Sequence, residues 1–157
     1  MGIVCRSDEE LQELLSRARA GGKKIVTTNG CFDIINLAHI RMLQEASRQG
    51  DILVVGVNSD RSVRAWKGDS RPIRKEEERA GIVAAIAGVD YAVLFDERDS
   101  DRFVARVRPD IHVNDRSYGE DCVEAAALRT CGGRLHLIDK LEWESNSDLV
   151  ERIRKLT

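Results

Sequence analysis

A chain of 157 residues with 42% hydrophobic and 33% charged residues has the size of one domain and enough apolar material for a core. Its 25 Lys and Arg against 27 Asp and Glu leave a net charge of −2, which speaks against a general nucleic-acid or anionic-membrane binder. Aromatic residues make up 4%, too few for a single-strand stacking platform. No apolar run approaches the ~18 residues that span a bilayer, and an acidic helix stands where a signal peptide would carry its apolar stretch. Cys5, Cys31, Cys122 and Cys131 include no C-x-x-C pair, so neither a zinc site nor a disulfide framework is indicated, and a reducing cytoplasm fits.

In chain order, Ser7 to Glu10 reads as a capping box for a helix whose face is Leu11, Leu14 and Leu15, stopped by Gly21-Gly22. Strand 24–28 follows, then a helix over 39–48, and the run 52–57, too continuous for a half-exposed strand. A short helix to Trp66, the polar loop 67–72 and a helix over 75–87 lead to strand 91–95. A helix over 101–107 ends before Pro109, which disfavours helix at the residue preceding it. Strand 110–114, a helix over 121–130, strand 135–138 and a terminal helix over 145–155 complete the chain. Five strands alternating with helices predict right-handed crossovers and one doubly wound parallel sheet with helices on both faces. In such sheets ligands sit at the carboxyl ends of the strands, where the strand order reverses.

After the first predicted strand the chain reads Asn29-Gly30-Cys31-Phe32-Asp33, and His39 falls in the first turn of the next helix. A helix start offers free N–H groups and a positive dipole end, a phosphate-site geometry without a G-x-G-x-x-G or Walker pattern. Two readings of His39 stay open, phosphate contact and capping or packing. Asn58-Ser59-Asp60 likewise reads as a ligand-facing strand end or as a helix cap. Arg64, Lys67, Arg71, Arg74 and Arg79 concentrate positive charge, either as a solvated face or as a polyphosphate clamp. Ser145, Asn146 and Ser147 open the last helix, where Ser145 with Asp148 forms a capping box and the hydroxyls suit phosphate. His112 and His136 read as structural, and Trp66 and Trp143 as packing residues at sheet edges.

These pieces resemble the cytidylyltransferase-like nucleotidyltransferase superfamily, nearest to the adenylyltransferase domain of bacterial heptose-phosphate kinase/adenylyltransferases. The resemblance covers residues 23–155 of a single domain over 1–157, with 1–22 an N-terminal helix. It rests on Thr28-Asn29-Gly30-Cys31-Phe32-Asp33, Val57-Asn58-Ser59-Asp60, the loop Lys67-Gly68-Asp69-Ser70-Arg71-Pro72 and Arg79, all in order. It implies a Rossmann-like sheet of order 3-2-1-4-5 and transfer of a nucleoside monophosphate from ATP or CTP to a small sugar or polyol phosphate, such as a heptose 1-phosphate. Pyrophosphate leaves, Mg²⁺ accompanies the nucleotide rather than a side-chain cluster, and a cytoplasmic homodimer without nucleic-acid or membrane partners is expected.

By the same resemblance the catalytic set is His39, Asn36, Lys67 and Arg79. Asn29, Gly30, Cys31, Phe32, Asn36, His39, Asp60, Lys67, Ser145, Asn146 and Ser147 bind nucleotide. Asp33, Arg64, Arg71, Asn114, Arg116 and Tyr118 bind the acceptor. The sequence departs from the family pattern at the reacting end. The histidine-any-glycine-histidine signature reads Asn36-Leu37-Ala38-His39, the lysine after the fourth strand is Asn114, and serine-threonine-threonine is Ser145-Asn146-Ser147. Asparagine donates hydrogen bonds but carries no charge, which leaves two expectations: an active transferase, or a catalytically impaired nucleotide-binding homologue.

Overall fold

The computed structural model describes residues 1–139 and 146–156, with the side chains of 146 and 147 left out. The family-like triplet at Ser145 and its capping box, and also Trp143, thus lie outside what is described. In chain order the elements are β1 (Ile3–Cys5), α1 (Asp8–Ala20), β2 (Ile25–Gly30), α2 (Leu37–Ser47), β3 (Ile52–Asn58), α3 (Asp60–Lys67), α4 (Glu76–Ala85), β4 (Tyr91–Phe95), α5 (Asp101–Val107), β5 (Ile111–Asp115), a 3₁₀ turn (Arg116–Tyr118), α6 (Ala125–Cys131), β6 (Arg134–Ile138) and α7 (Asn146–Arg154). No described helix is long and apolar enough to cross a membrane.

The sheet is parallel and has six strands, in the order β1-β4-β3-β2-β5-β6, where five were expected. The five expected strands keep the order 3-2-1-4-5. The sixth, β1, is three residues long and pairs at the edge with β4, from Ile3 beside Tyr91 to Cys5 beside Val93. Three residues are too few to show alternation, so β1 is invisible to periodicity. Gly2 permits this docking: its N–H donates to the Ala84 carbonyl at 2.9 Å, and a Cβ there would lie 2.5 Å from the Val89 carbonyl oxygen.

Alternation along the strands divides the core in two. Val26, Leu53, Val55, Val57, Ala92, Ile111 and Val113 face α2 and α4, with Leu43, Ala46, Ala80 and Val83. Ile25, Val54, Val93 and Phe95 face α1, α5 and α6, with Leu11, Leu15, Phe103, Val104 and Leu128. At the amino edge of the sheet, aspartates close the strand starts. Asp110 accepts from Ile25 N–H at 2.7 Å, Asp51 from Lys24 N–H at 2.8 Å and Asp90 from Leu53 N–H at 2.8 Å. The carboxyl edge is left for the site. The chain steps outward from β2 through β3 to β4 and then returns to β5 on the other side of β2. The switch in strand order therefore opens a crevice above β2 and β5.

Helix boundaries follow their caps. Ser7 caps α1 by accepting from Glu10 N–H, but the Glu10 carboxylate takes Arg6 N–H, so half of the expected box forms. α6 starts at Ala125, four residues later than expected, because residues 121–124 form a turn.

His112 is fully buried in β5, with Nδ1 2.8 Å from Thr27 Oγ1 on β2. Burial pushes its pKa down from 6.5 to about 4, against the opposing influence of Glu124. Between those values the unfolded chain binds the extra proton, so stability is lost as pH falls from about 6.5 towards 4. Urea denaturation at pH 7.5 and 4.5 should show the wild type losing about 2–3 kcal/mol more than His112→Leu. Equal losses in the two proteins would refute the assignment.

Candidate active site

Above β2 the backbone turns through Cys31, Phe32 and Asp33. Phe32 holds φ +49, a left-handed conformation that costs a bulky residue on the order of 1 kcal/mol. Its ring supplies the compensation: it is buried in the α2–α4 core and meets the His39 ring edge-on at 5.5 Å. Gly30 makes room for that ring, since a Cβ would lie 3.3 Å from it. The Asp33 carboxylate is buried beneath the loop that follows α3. It accepts from Ile73 N–H at 2.7 Å, Arg74 N–H at 3.0 Å and Arg71 Nη1 at 2.9 Å. Asp33 and Arg71, both expected on substrate, are thus bound to each other.

The start of α2 shows the capping reading of His39. Asn36 is the N-cap: its Oδ1 accepts from His39 N–H at 3.1 Å, and His39 Nδ1 accepts from Asn36 N–H at 3.2 Å. A ring that accepts at Nδ1 carries its proton at Nε2, so the cap fixes the tautomer. Burial, then the positive charge of Lys67, lower the His39 pKa. His39 is therefore a neutral N–H donor at neutral pH. The N–H groups of Leu37 and Ala38, in the first turn, have no partner within the helix.

Lys67 ends α3, with Nζ 4.6 Å from the centroid of the Trp66 ring. Trp66 is half exposed, so the packing role expected of it is not what the structure shows. The charge of Lys67 also reaches Cys31, whose thiol pKa burial nevertheless raises. Cys31 Sγ–H donates to Asn58 Oδ1 at 3.8 Å, and Asn58 Nδ2 donates to Ser62 Oγ at 3.0 Å. Ser59 is the cap of α3, accepting from Ser62 N–H at 3.1 Å. The cap reading holds for Ser59.

The expected basic clamp does not assemble. Arg71 pairs with Asp33, Arg74 with Glu78 and Arg79 with Asp60. Arg79, expected to be catalytic, is 0% exposed and donates Nη2 to Asp60 Oδ1, Nε to the Arg74 carbonyl and Nη1 to the Cys31 carbonyl. Its helix must pack on the sheet, and that packing carries the guanidinium inward. Arg64 lines a polar groove of about 490 Å³ in which Asp60, Glu76, Glu77 and Asp96 outnumber the bases. Of the five cations, only Lys67 is electrostatically coupled to His39.

At the end of β5, Asn114 Nδ2 donates to Glu124 Oε2 at 3.4 Å and Asn114 Oδ1 accepts from Asp115 N–H at 3.0 Å. Arg116 does not replace the cation that Asn114 lacks: it pairs with Asp139 at 2.6 Å and lines a groove with His136 and Leu137 along β6. Tyr118 is exposed at the end of the 3₁₀ turn. Glu124 was not anticipated at all, because it reads as the interior of a longer helix.

A family model described as Cytidylyltransferase-like matches residues 27–150. The chain belongs to the cytidylyltransferase-like family. It is 44% identical over 149 residues to the bifunctional protein HldE of Syntrophotalea carbinolica, covering 94% of this chain and 30% of that protein. It is also 44% identical over 151 residues to HldE of Koribacter versatilis, covering 96% and 31%. The chain thus spans about a third of the length of these relatives. A crystal structure of the lipopolysaccharide core biosynthesis protein from Thermoplasma volcanium superposes with a TM-score of 0.62 at 30% identity, covering 78% of this chain and all of that one. The pantoate-beta-alanine ligase of Francisella tularensis shares the fold at a TM-score of 0.63 and 8% identity, covering 91% of this chain and 69% of that one. Residues 27–150 take in the β2 turn, the α2 cap, the loop after α3 and the β5 end, so family membership and site geometry refer to one region.

Within this cytidylyltransferase-like site Arg79 is a positioning residue. Arg79→Leu should lower stability by about 3 kcal/mol in urea denaturation, because it strands a carboxylate and two carbonyls. Arg79→Lys should recover less than half, since an ammonium cannot reproduce the planar fork. Wild-type stability in Arg79→Leu would remove Arg79 from the site's framework.

Proposed function

We propose that this cytidylyltransferase-like nucleotidyltransferase moves a nucleoside monophosphate from ATP, with CTP as the alternative donor, to a small sugar or polyol phosphate, a heptose 1-phosphate foremost. The observation that carries the reading is the neutral His39 N–H donor at the start of α2, beside Lys67, above the strand switch. An acceptor phosphate oxygen attacks the α-phosphorus in line. One P–O bond forms, the α–β bridging bond breaks, and pyrophosphate leaves with the electron pair. No covalent enzyme intermediate is needed, so the protein's part is positioning and charge stabilisation. The Leu37 and Ala38 N–H groups, His39 Nε2–H and Lys67 Nζ supply preorganised donors to the phosphates. Bound with the nucleotide, Mg²⁺ would supply neutralisation of phosphate charge. The Asp33 and Asp60 carboxylates are occupied by Arg71 and Arg79, which suits an ion held by phosphates and water rather than by an acidic cage. The resemblance to heptose-phosphate adenylyltransferases and the identity to HldE proteins support ATP and a sugar phosphate. The same resemblance supports a cytoplasmic homodimer.

One observation favours a second reading, nucleotide binding without turnover. Among the described residues the β5 end offers Asn114 and no cation, since Arg116 turns to Asp139. Pyrophosphate release with each NTP, Mg²⁺ and a panel of heptose, glycerol and pantetheine phosphates decides between them. His39→Ala should lower kcat by roughly 10²–10³-fold, as does loss of a preorganised oxyanion donor. Lys67→Ala should raise the KM for NTP. Micromolar nucleotide binding by calorimetry with no release across the panel would establish the second reading instead.

A further inference from the structure

Glu124 lies in the turn before α6 and is 3% exposed. Its carboxyl group joins three elements. Oε1 accepts from Ser100 Oγ at the start of α5, and Oε2 accepts from Asn114 Nδ2 at the end of β5. His112 Nε2, which has no hydrogen-bond partner, lies 3.9 Å from Oε1. Through His112 Nδ1 and Thr27 Oγ1 the chain of polar groups reaches the central strand β2. Among the described residues no Lys or Arg pairs with Glu124. Burying a carboxyl group with neutral partners alone is a poor way to stabilise a core, and an apolar side chain of similar volume does so at lower cost.

What the arrangement does secure is the amide of Asn114. With Oδ1 taken by Asp115 N–H, its nitrogen is directed to Glu124, so neither rotation nor an amide flip keeps both bonds. Asp115 in turn caps the Arg116–Tyr118 turn by accepting from Ser117 N–H at 2.8 Å. We propose that Glu124 is a positioning residue that holds Asn114 and the turn after it in place at the acceptor side of the site. The assignment of that side to the acceptor rests on the transferase reading above; the positioning itself rests on the hydrogen bonds.

Glu124→Met tests it, because it keeps the volume and removes the acceptor of the Asn114 amide, whereas Gln could still accept from Asn114 Nδ2 and donate to Ser100 Oγ. In the full chain, amide hydrogen exchange over residues 114–120 should accelerate about tenfold, as expected for one lost polar contact, while β2 and β3 stay protected. Asn114→Asp alone places two carboxyl groups together and should accelerate exchange in the same segment. Adding Glu124→Gln to Asn114→Asp lets the amide NH₂ at position 124 donate to the carboxylate at position 114, and should restore protection. In turnover, Glu124→Met should raise the acceptor KM about tenfold and leave the NTP KM within about twofold. Unchanged exchange at 114–120 in Glu124→Met, loss of protection spread equally over β2 and β3, or a double variant no better than Asn114→Asp alone would each overturn the proposal. If no acceptor supports turnover in the wild type, the transferase reading fails, and the exchange pattern with its rescue still decides this one.

Discussion

One buried guanidinium holds the site in register. Arg79 reaches from α4 to a carboxylate on α3, a carbonyl in the loop and a carbonyl in the β2 turn. The sheet beneath those segments ends at Gly30 and Asn58, and one further bond joins α3 to α4, from Asp60 N–H to Glu76 Oε2 at 2.6 Å. A guanidinium suits this position because its planar fork serves several acceptors at fixed angles and stays charged when desolvated. Asp33 repeats the device from the opposite polarity, as a buried carboxylate accepting from the loop's N–H groups and from Arg71. Arg79 and Asp33 thus grip the same end of the loop, at Ile73 and Arg74, while Lys67 stands at its start in the last turn of α3.

Lys67 has a chemical consequence at His39. The ring is partly desolvated and feels the ammonium of Lys67, and both effects favour its neutral form. The reciprocal cap with Asn36 then decides which nitrogen carries the proton. Capping uses Nδ1 and leaves Nε2–H for the phosphate contact proposed above. The neutral Asn36 supports its neighbour through Oδ1 and the backbone, whatever else it touches.

Much of this was legible in the residues. The strand run 52–57, Pro109 after α5 and the clustering of polar motifs at strand ends follow from periodicity and chain connectivity, while the strand order came with the family resemblance. Strand β1 escaped because three residues carry no period. Glu124 escaped because an acid before Ala125-Ala126-Ala127 looks like the exposed face of a helix, and only the turn over 121–124 drives it inward. The arginines misled for a physical reason. A sequence shows how many charges lie close along the chain, but not which have found a partner, and Arg71, Arg74 and Arg79 each had one within the fold.

The net charge of −2 therefore conceals a partition by position rather than a large basic patch. Asp51, Asp90 and Asp110 are engaged with backbone N–H groups at the amino edge, far along each strand from the crevice. At the carboxyl edge Arg71 with Asp33 and Arg79 with Asp60 cancel in largely buried pairs, while Arg74 with Glu78 and Arg61 with Asp96 pair at the surface. In the transferase reading proposed above, Lys67, the first N–H groups of α2 and a neutral imidazole are the groups offered to the phosphates. The His39 imidazole acts in a partly desolvated setting, where a fixed dipole is worth several times its value in water, whereas Lys67 is exposed. A larger set of mobile surface cations would attract a triphosphate from farther away, but it would be screened by salt and would not fix the α-phosphorus for in-line attack. Arg79 and Asp33 supply fixed geometry instead, by tying the β2 turn to α3, α4 and the end of the loop.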